Sequence, residues 1–424
     1  MTGIDELTGL PNRASHIAES DLWSDRGSGA LILIDLDQFR QVNDTLGNAV
    51  GDEVLRLAAQ RLTQAGPFVH LARVSGDEFA CLVESDGIAA LALAKRFVEV
   101  LSEPLSINQM TVYAGVSVGV AMFGEVTNAD ETRRRAGVAL EEAKRSGSCA
   151  RRYDEVLEEK CAKAYSLASD LPEALAQRDF IMHYQPKFDL LTGDVVGFEA
   201  LARWQHPIHR LLPPASFLDL VSVGGLHSQL FQVTLEQSLA DFAVLRKTNP
   251  LANLAVNVHP RNLREPDLVS RTLEALSSFD ISPSSLTLEL TEDSLINEDR
   301  FVERTINAFD CAGVMLSADD FGTGYSSLSY LNRLPVKEIK LDRSLISEVT
   351  QSRRAEAVVK SMLALAEQLG LSLVAEGIED RETLTHLIGM GCPQGQGFYL
   401  GHPNSVDHWA QVTSQSEIAL TADV

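Results

Sequence analysis

In the C-terminal half of this 424-residue chain, polar residues stand at the ends of short apolar runs. Glu199 lies in Val195–Leu201, and Asn257 follows Leu254-Ala255-Val256. Glu289 and Glu292 close the run Leu286-Thr287-Leu288-Glu289-Leu290-Thr291-Glu292. Asp319 and Asp320 follow Leu316-Ser317-Ala318, and Lys340 lies within Glu338-Ile339-Lys340-Leu341-Asp342. Glu376 and Glu379 follow Leu373-Val374-Ala375, and Gln396 precedes Gly397-Phe398. Brought to one place, these seven carboxylates and one lysine would destabilise the fold or stay protonated unless more positive charge joined them. Divalent cations supply such charge. An all-oxygen set with one amide suits Mg²⁺ or Mn²⁺ better than zinc. Two such ions close together make the machinery of phosphodiester hydrolysis.

A barrel would bring these residues together. From Phe180 to Pro403 short apolar runs recur between longer helical stretches: Ile181–Tyr184, Val195–Leu201, Leu254–Val258, Leu286–Leu290, Val314–Ala318, Glu338–Leu341, Leu371–Ala375 and Gly397–Leu400. Eight strands interleaved with helices predict an α/β TIM-like barrel, whose strand C-termini converge on the functional face.

The first 150 or so residues read differently. Ala30–Ile34 is a buried-strand pattern ending in Asp35-Leu36-Asp37, and Gly51–Thr63 has helical periodicity. Phe68–Val74 and Glu78–Val83 read as strands joined at Ser75-Gly76-Asp77. Ala89–Leu101 reads as a helix, Thr111–Met122 as a strand and Thr132–Arg145 as a helix. The order β-α-β-β-α-β with an added helix predicts an α+β, palm-like domain. The expected division is a first domain over 1–152, a helical linker over 153–170, a second domain over 171–404 and a polar tail over 405–424. Asp154–Ala168 reads as a linking helix, and Pro172 as the start of a new one.

Composition narrows the function. The chain is 45% apolar and 22% charged, the mix of a globular protein. Its net charge of −23 is shared by both halves, which argues against a nucleic-acid polymer as partner. Its five cysteines form no C-x-x-C pair, so reduced thiols are expected rather than disulfides or a zinc site. His206-Pro207-Ile208-His209 straddles a proline loop and reads as structural. No apolar run is long enough for a membrane span, and no signal-like N-terminus is present, so a cytoplasmic location is expected.

Glu199-Ala200-Leu201-Ala202-Arg203-Trp204 resembles the signature of the EAL-domain phosphodiesterases of cyclic di-GMP. Tyr184-Gln185-Pro186-Lys187, Asn257-Val258, Glu289-Leu290-Thr291-Glu292, Asp319–Ser327, Ile339-Lys340-Leu341-Asp342, Ala375–Glu379 and Gln396-Gly397-Phe398 fit the same family in the right order, over about Leu171 to Pro403. The resemblance implies that Glu199, Asn257, Glu289 and Asp319 hold one metal, and that Asp319, Asp320 and Glu376 hold or approach a second. Lys340 would orient or activate the attacking water, with Glu199 and Glu376 beside it as catalytic acids. Gln185, Arg203 and Gln396 would contact substrate. Glu292 and Glu379 would anchor loops, Glu292 holding Asp320–Ser327, which couples dimerisation to metal binding. The product would be linear pGpG. His259 departs from the family, which usually has a small residue after Asn-Val.

The N-terminal half resembles the GGDEF diguanylate cyclases through Asp5-Glu6-Leu7-Thr8-Gly9-Leu10-Pro11-Asn12-Arg13, Asp35–Asp44, Gly51-Asp52 and Ser117–Ala121. The resemblance implies that Asp35 and Asp77 bind Mg²⁺ against GTP phosphates, that Asn43 and Asp52 read guanine, and that Glu78 is a transition-state or structural acid. Arg40 and Lys144 would be the phosphate cations. The signature reads Ser75-Gly76-Asp77-Glu78-Phe79, with serine for the first glycine, at a turn expected to need clearance and a positive φ. Gly66 and Val69 stand where an inhibitory product site needs Arg-x-x-Asp. Ser148 stands where a second basic residue is frequent.

Together these readings predict a homodimeric cyclic di-GMP phosphodiesterase, using two Mg²⁺ or Mn²⁺, whose first domain binds GTP as a regulator. Two alternatives stay open: a bifunctional enzyme with its own cyclase activity, and an inactive cyclic di-GMP receptor.

Overall fold

Ala30–Ile34 has no polar alternate, so a strand built from it must be covered on both faces. It lies at the middle of a sheet. The computed structural model describes residues 3–108, 110–124, 128–147, 149–291, 299–322 and 333–412. The chain divides into two compact units, Met1–Ser166 and Leu167–Val424.

The first unit runs α1 (Arg13–Arg26), β1 (Ala30–Asp37), α2 (Phe39–Leu46), α3 (Asn48–Gln64), β2 (His70–Arg73), β3 (Glu78–Val83), α4 (Gly87–Ser102), β4 (Leu105–Ile107), β5 (Met110–Val112), β6 (Gly115–Met122), α5 (Ala129–Arg145) and β7 (Ala150–Arg152). The main sheet has the order β2-β3-β1-β6-β7, with β1 antiparallel to both neighbours. Val54, Leu62 and Phe97 pack on one side with Ile32 and Ile34, and Trp23, Ala136 and Ala139 pack on the other with Leu31. The run expected as one strand over Thr111–Met122 is two elements, because β5 pairs with β4 in a separate hairpin.

One helix, α6 (Glu155–Gln177), carries the chain from one unit to the next, and it runs through Pro172 rather than restarting there. Packing is the reason. Leu167, Leu171, Ala174 and Leu175 form a helical stripe buried with Phe180, Trp204 and Phe217, so the turns on both sides of the proline are held. That burial offsets a lost hydrogen bond and ring clash of about 3 kcal/mol.

The second unit continues with β8 (Phe180–Asp189), β9 (Val195–His206), β10 (Arg210–Leu212), α7 (Leu218–Gly224), α8 (His227–Leu245), β11 (Asn253–Asn257), α9 (Leu268–Ser278), β12 (Leu286–Thr291), α10 (Arg300–Ala312), β13 (Met315–Phe321), β14 (Glu338–Leu341), α11 (Arg343–Ile346), α12 (Arg353–Leu369), β15 (Ser372–Ala375), α13 (Arg381–Gly389), β16 (Gln394–Gly395) and α14 (Val406–Val412). Eight strands close in the order β8-β9-β11-β12-β13-β14-β15-β16 and back to β8. From β9 to β16 the pairing is parallel, whereas β8 is antiparallel to both neighbours. The first two strands are therefore a hairpin, not a strand–helix–strand unit.

Two expectations are corrected here. The eighth strand is Gln394–Gly395, not Gly397–Leu400. Gly397 starts a tight turn that Leu400 and Gly401 close by donating to its carbonyl, and Phe398 and Tyr399 are half exposed. The segment read as a polar tail is helical over Val406–Val412. There Trp409 is buried, and its Nε1 donates to the Tyr184 carbonyl at 2.7 Å. Residues 413–424 lie outside the described set.

Candidate active site

Successive strand residues point to opposite faces, so Gln185, Glu199, Asn257, Glu289, Asp319 and Lys340 each need only the right parity to share the barrel mouth. The register supplies it: Gln185 lies opposite Glu199, and Asn257 opposite Glu289. Lys340, 1% exposed, is the hub. Its Nζ lies 2.9 Å from Glu289, 3.0 Å from Asp319, 2.8 Å from Glu376 and 3.6 Å from Glu199. Asn257 Nδ2 donates to Glu199 Oε1 at 3.1 Å, and Gln396 Nε2 to Glu199 Oε2 at 2.6 Å. Gln396 Nε2 also reaches Gln185 Oε1 at 3.1 Å, and Gln185 Nε2 donates to the Gly401 carbonyl at 3.1 Å.

The charges in this cluster set one another. Burial alone would neutralise Lys340, but Glu199, Glu289, Glu376 and Asp319 hold it as an ammonium well above the usual lysine range. Burial, then the Glu199 charge, push Glu289 well up. Burial lifts Glu376 to about 7 against the pull of Lys340. Glu199 goes the other way: burial would raise it, yet Lys340 and the Gln396 and Asn257 donors together hold it below the ordinary value.

Adjacent Asp319 and Asp320 should face opposite ways on a regular strand. A bulge between Ala318 and Phe321, with Asp320 in the left-handed region at φ 55°, turns both toward the site. Asp319, Asp320 and Glu376 can each present an oxygen within 4.8 Å of the others. Glu289 Oε2 is buried with no hydrogen-bond partner. Hard oxygen donors, one orphaned and three converging, fit a divalent cation of the Mg²⁺ or Mn²⁺ kind.

The acids open into a cavity of about 320 Å³ lined also by Arg343, Gly377, Glu379 and Phe398. Arg343 Nη2 pairs with Glu379 at 2.9 Å, and a Cβ on Gly377 would meet Arg343 Cγ at 2.4 Å. The sequence reading assigned no site role to Arg343, which directly follows the motif residue Asp342, or to Phe398, which closes the motif Gln396-Gly397-Phe398. Arg203 shares its strand face with Glu199 and Leu201 but does not line the cavity, and it donates to the Ala202 carbonyl. Glu292 and most of Asp320–Ser327 lie outside the described residues.

In the first unit, the β1–β3 register sets Asp35 opposite Glu78, and Leu36 N donates to the Asp77 carbonyl. Lys144 Nζ lies 2.9 Å from Asp35. Burial raises the Asp35 carboxyl, with the Asp77 and Glu78 charges adding to it and Lys144 opposing. A Cβ on Gly51 would sit 1.9 Å from Asn43 Oδ1, so glycine there makes room for Asn43 beside exposed Asp52. Arg40 is not brought in: its side chain is 93% exposed and pairs loosely with Asp44. Neither Ser75 nor Gly76 has a positive φ, which corrects the expectation that the turn demands one. Arg73, unremarked in sequence, braces the turn by donating to the Gly76 carbonyl while pairing with Asp5. Ser148 lies outside the described residues.

His206 is structural, as expected: Nδ1 accepts from Ile208 N and His209 N, which leaves Nε2 facing Asp170 at 3.1 Å. All five cysteines are free. Among the described residues no helix is long and apolar enough to cross a membrane.

Residues 168–403 match the EAL domain family, and residues 2–149 the family described as diguanylate cyclase, GGDEF domain. The bifunctional diguanylate cyclase/cyclic di-GMP phosphodiesterase MucR of Pseudomonas aeruginosa is 34% identical over 94% of this chain and 60% of its own length. The cyclic di-GMP phosphodiesterase NbdA of the same organism is 33% identical over 95% of this chain and 53% of its own length. The chain thus spans between half and three fifths of these relatives. A solved structure of the MucR phosphodiesterase in complex with cyclic di-GMP is 37% identical, covers 57% of this chain and 99% of its own, and superposes with a TM-score of 0.55.

Proposed function

The chain belongs to the EAL family, with a GGDEF domain ahead of the EAL domain, and from this premise we propose that it hydrolyses cyclic di-GMP to linear pGpG. The observation that carries the reading is the Lys340 ammonium held by Glu289, Asp319 and Glu376 beside the oxygen triad of Asp319, Asp320 and Glu376. Glu199, Asn257, Glu289, Asp319, Asp320 and Glu376 would hold two divalent cations, which when bound supply Lewis-acid charge to the phosphodiester and its attacking water. Lys340 keeps that water aimed at phosphorus. Water adds to phosphorus and gives up a proton to solvent, the bond to the 3′ oxygen breaks, and that oxygen takes a proton from solvent, so one water is added across the bond overall. Gln396 fixes Glu199 and is itself held by Gln185, both glutamines line the substrate wall, and Glu379 fixes Arg343 at the rim.

The GGDEF domain binds Mg²⁺–GTP as a regulator in this reading: Asp35 and Asp77 face the phosphates with Lys144, while Asn43 and Asp52 face guanine. A second reading, intrinsic cyclase activity, is favoured by the unstrained backbone at Ser75. Chromatography of nucleotides decides between them, with purified chain, Mg²⁺ or Mn²⁺, and cyclic di-GMP, cyclic di-GMP plus GTP, or GTP alone. Formation of pGpG, faster with GTP, is the expected result. Product from GTP alone establishes the bifunctional enzyme, and no pGpG with either metal sinks the hydrolase reading.

A further inference from the structure

Beneath the acids the barrel interior holds a second ionic pair. Lys187 Nζ lies 2.6 Å from Glu338 Oε2, with side chains 8% and 2% exposed. Lys187 stands on β8 two residues beyond Gln185, and Glu338 on β14 two residues before Lys340. The two strands are not neighbours, since β16 and β15 stand between them. The pair therefore ties two separated strands across the bore. Gly197, opposite Lys187 in the β8–β9 register, leaves the passage open: a Cβ there would lie 3.3 Å from Lys187 Cε. Glu338 is in register with Ser317 of β13, and Glu338 Oε1, Ser317 Oγ and Thr287 Oγ1 are all buried without partners.

Stability does not account for this pair. Two ions taken out of water cost several kcal/mol each, and well-packed apolar replacements are often as stable. Position does. A slide of β14 along its axis would carry Glu338 and Lys340 together, and a slide of β8 would carry Lys187 and Gln185. We propose that Lys187–Glu338 is a positioning strut that fixes the height of Lys340 and Gln185 in the barrel mouth. The proposal rests on the phosphodiesterase reading.

The test uses the full chain carrying K187M/E338L, which removes both charges and leaves the net charge unchanged. The readouts are thermal midpoint, Mn²⁺ affinity from the electron paramagnetic resonance of free Mn²⁺, and kcat and KM for cyclic di-GMP. The expected result is a midpoint at or above that of the parent, with Mn²⁺ affinity and kcat each down roughly 10–100-fold and KM nearly unchanged. E338Q keeps the length and an oxygen that accepts from Lys187, so it should retain most of the parent kcat. A folded double variant with parental Mn²⁺ affinity and kcat overturns the strut. So does an E338Q protein that loses as much as the double variant, because charge rather than position would then be at work. Should K187M/E338L not fold, K187M/E338Q, also net neutral and without the cross-bore bond, takes its place with the same expected loss. Parent protein that binds Mn²⁺ but never cleaves cyclic di-GMP refutes the phosphodiesterase reading alone, and Mn²⁺ affinity still decides the strut.

Discussion

Glu199 concentrates three contacts in one carboxylate: Asn257 on one oxygen, Gln396 and Lys340 on the other. Glu199→Ala should therefore remove a cation ligand and loosen two neighbours while leaving the cavity wall in place. Outer residues around a metal are worth roughly 10–100-fold, so loss of this ligand should cost more than about 100-fold in turnover. Cyclic di-GMP binding, read by calorimetry, should persist. Appreciable hydrolysis by the variant would show the ligand assignment to be mistaken. Ser75 carries the opposite expectation. Its φ is negative, so serine stores no strain there, and Ser75→Gly should change product formation from GTP by no more than a few-fold. A large gain would mean that clearance, rather than backbone conformation, limits the site. The acids were legible in the sequence as a set: one carboxylate at the end of an apolar run is most readily a helix cap or an ion pair, whereas many of them at successive strand ends have no common structural use. Arg73 and the Lys187–Glu338 pair were not, because a single charge in a strand reads as a solvated side chain until its partner, 151 residues away for Lys187, is brought across the barrel.

At the scale of elements, two glycines show what spacing alone could not. Gly119 of β6 lies under α5, where a Cβ would meet Ala136 O at 2.2 Å and Leu140 N at 2.4 Å. Gly397 packs on the loop after β15, where a Cβ would meet Ile378 N and O, both at 2.2 Å. Both obstacles are backbone, which cannot swing aside as a side chain can. Gly119→Ala and Gly397→Ala should each cost about 1–3 kcal/mol, measured by urea unfolding. They should differ in function. Gly397 follows Gln396, so its variant should also lose turnover, whereas Gly119→Ala should leave the barrel chemistry alone. Equal turnover in both would mean that the Gln396 turn does not position the site. This turn is also where reading the strands went wrong. Phe398-Tyr399-Leu400 is apolar enough for a strand, and only the close approach of Ile378 forces the chain to curl. Pro172 misled for a related reason: local rules favoured a helix start, while the buried stripe from Leu167 to Leu175 held one helix through it. Seven of the eight barrel strands, set by runs of apolar residues, were legible; the eighth, and the ends of most others, set by neighbours distant in sequence, were not.

At the scale of the whole molecule, the two units should answer acid in opposite directions. In the first, His16 is buried against His70, with ring centroids 5.6 Å apart. Burial, then the charges of His70 and Arg133, push it from 6.5 down to about 4. Between those values the unfolded chain binds a proton that the folded one refuses. Stability is therefore complete above about pH 6.5 and drains away as pH falls toward 4, by roughly 3 kcal/mol from this group. In the barrel, Glu376 is pushed up from 4.5 to about 7, and Glu289 also moves up. There the folded state binds the extra proton, so in metal-free protein the barrel gains stability as pH falls through 7 toward 4.5, while Glu199, held below its ordinary value, takes stability away only as pH falls below about 4.5. A divalent cation competes for the same oxygens and should cancel that gain. Hydrogen exchange on the full chain, corrected for its intrinsic pH dependence, reads both units at once. Between pH 7 and 5.5 in chelator, amides of β1 and β3 should lose protection while those of β12 and β14 gain it. With Mn²⁺ present, the gain in β12 and β14 should vanish while the loss in β1 and β3 remains. A parallel loss in both units without metal would mean that the barrel acids are already neutralised by one another and by Lys340, leaving the cations no electrostatic debt to settle.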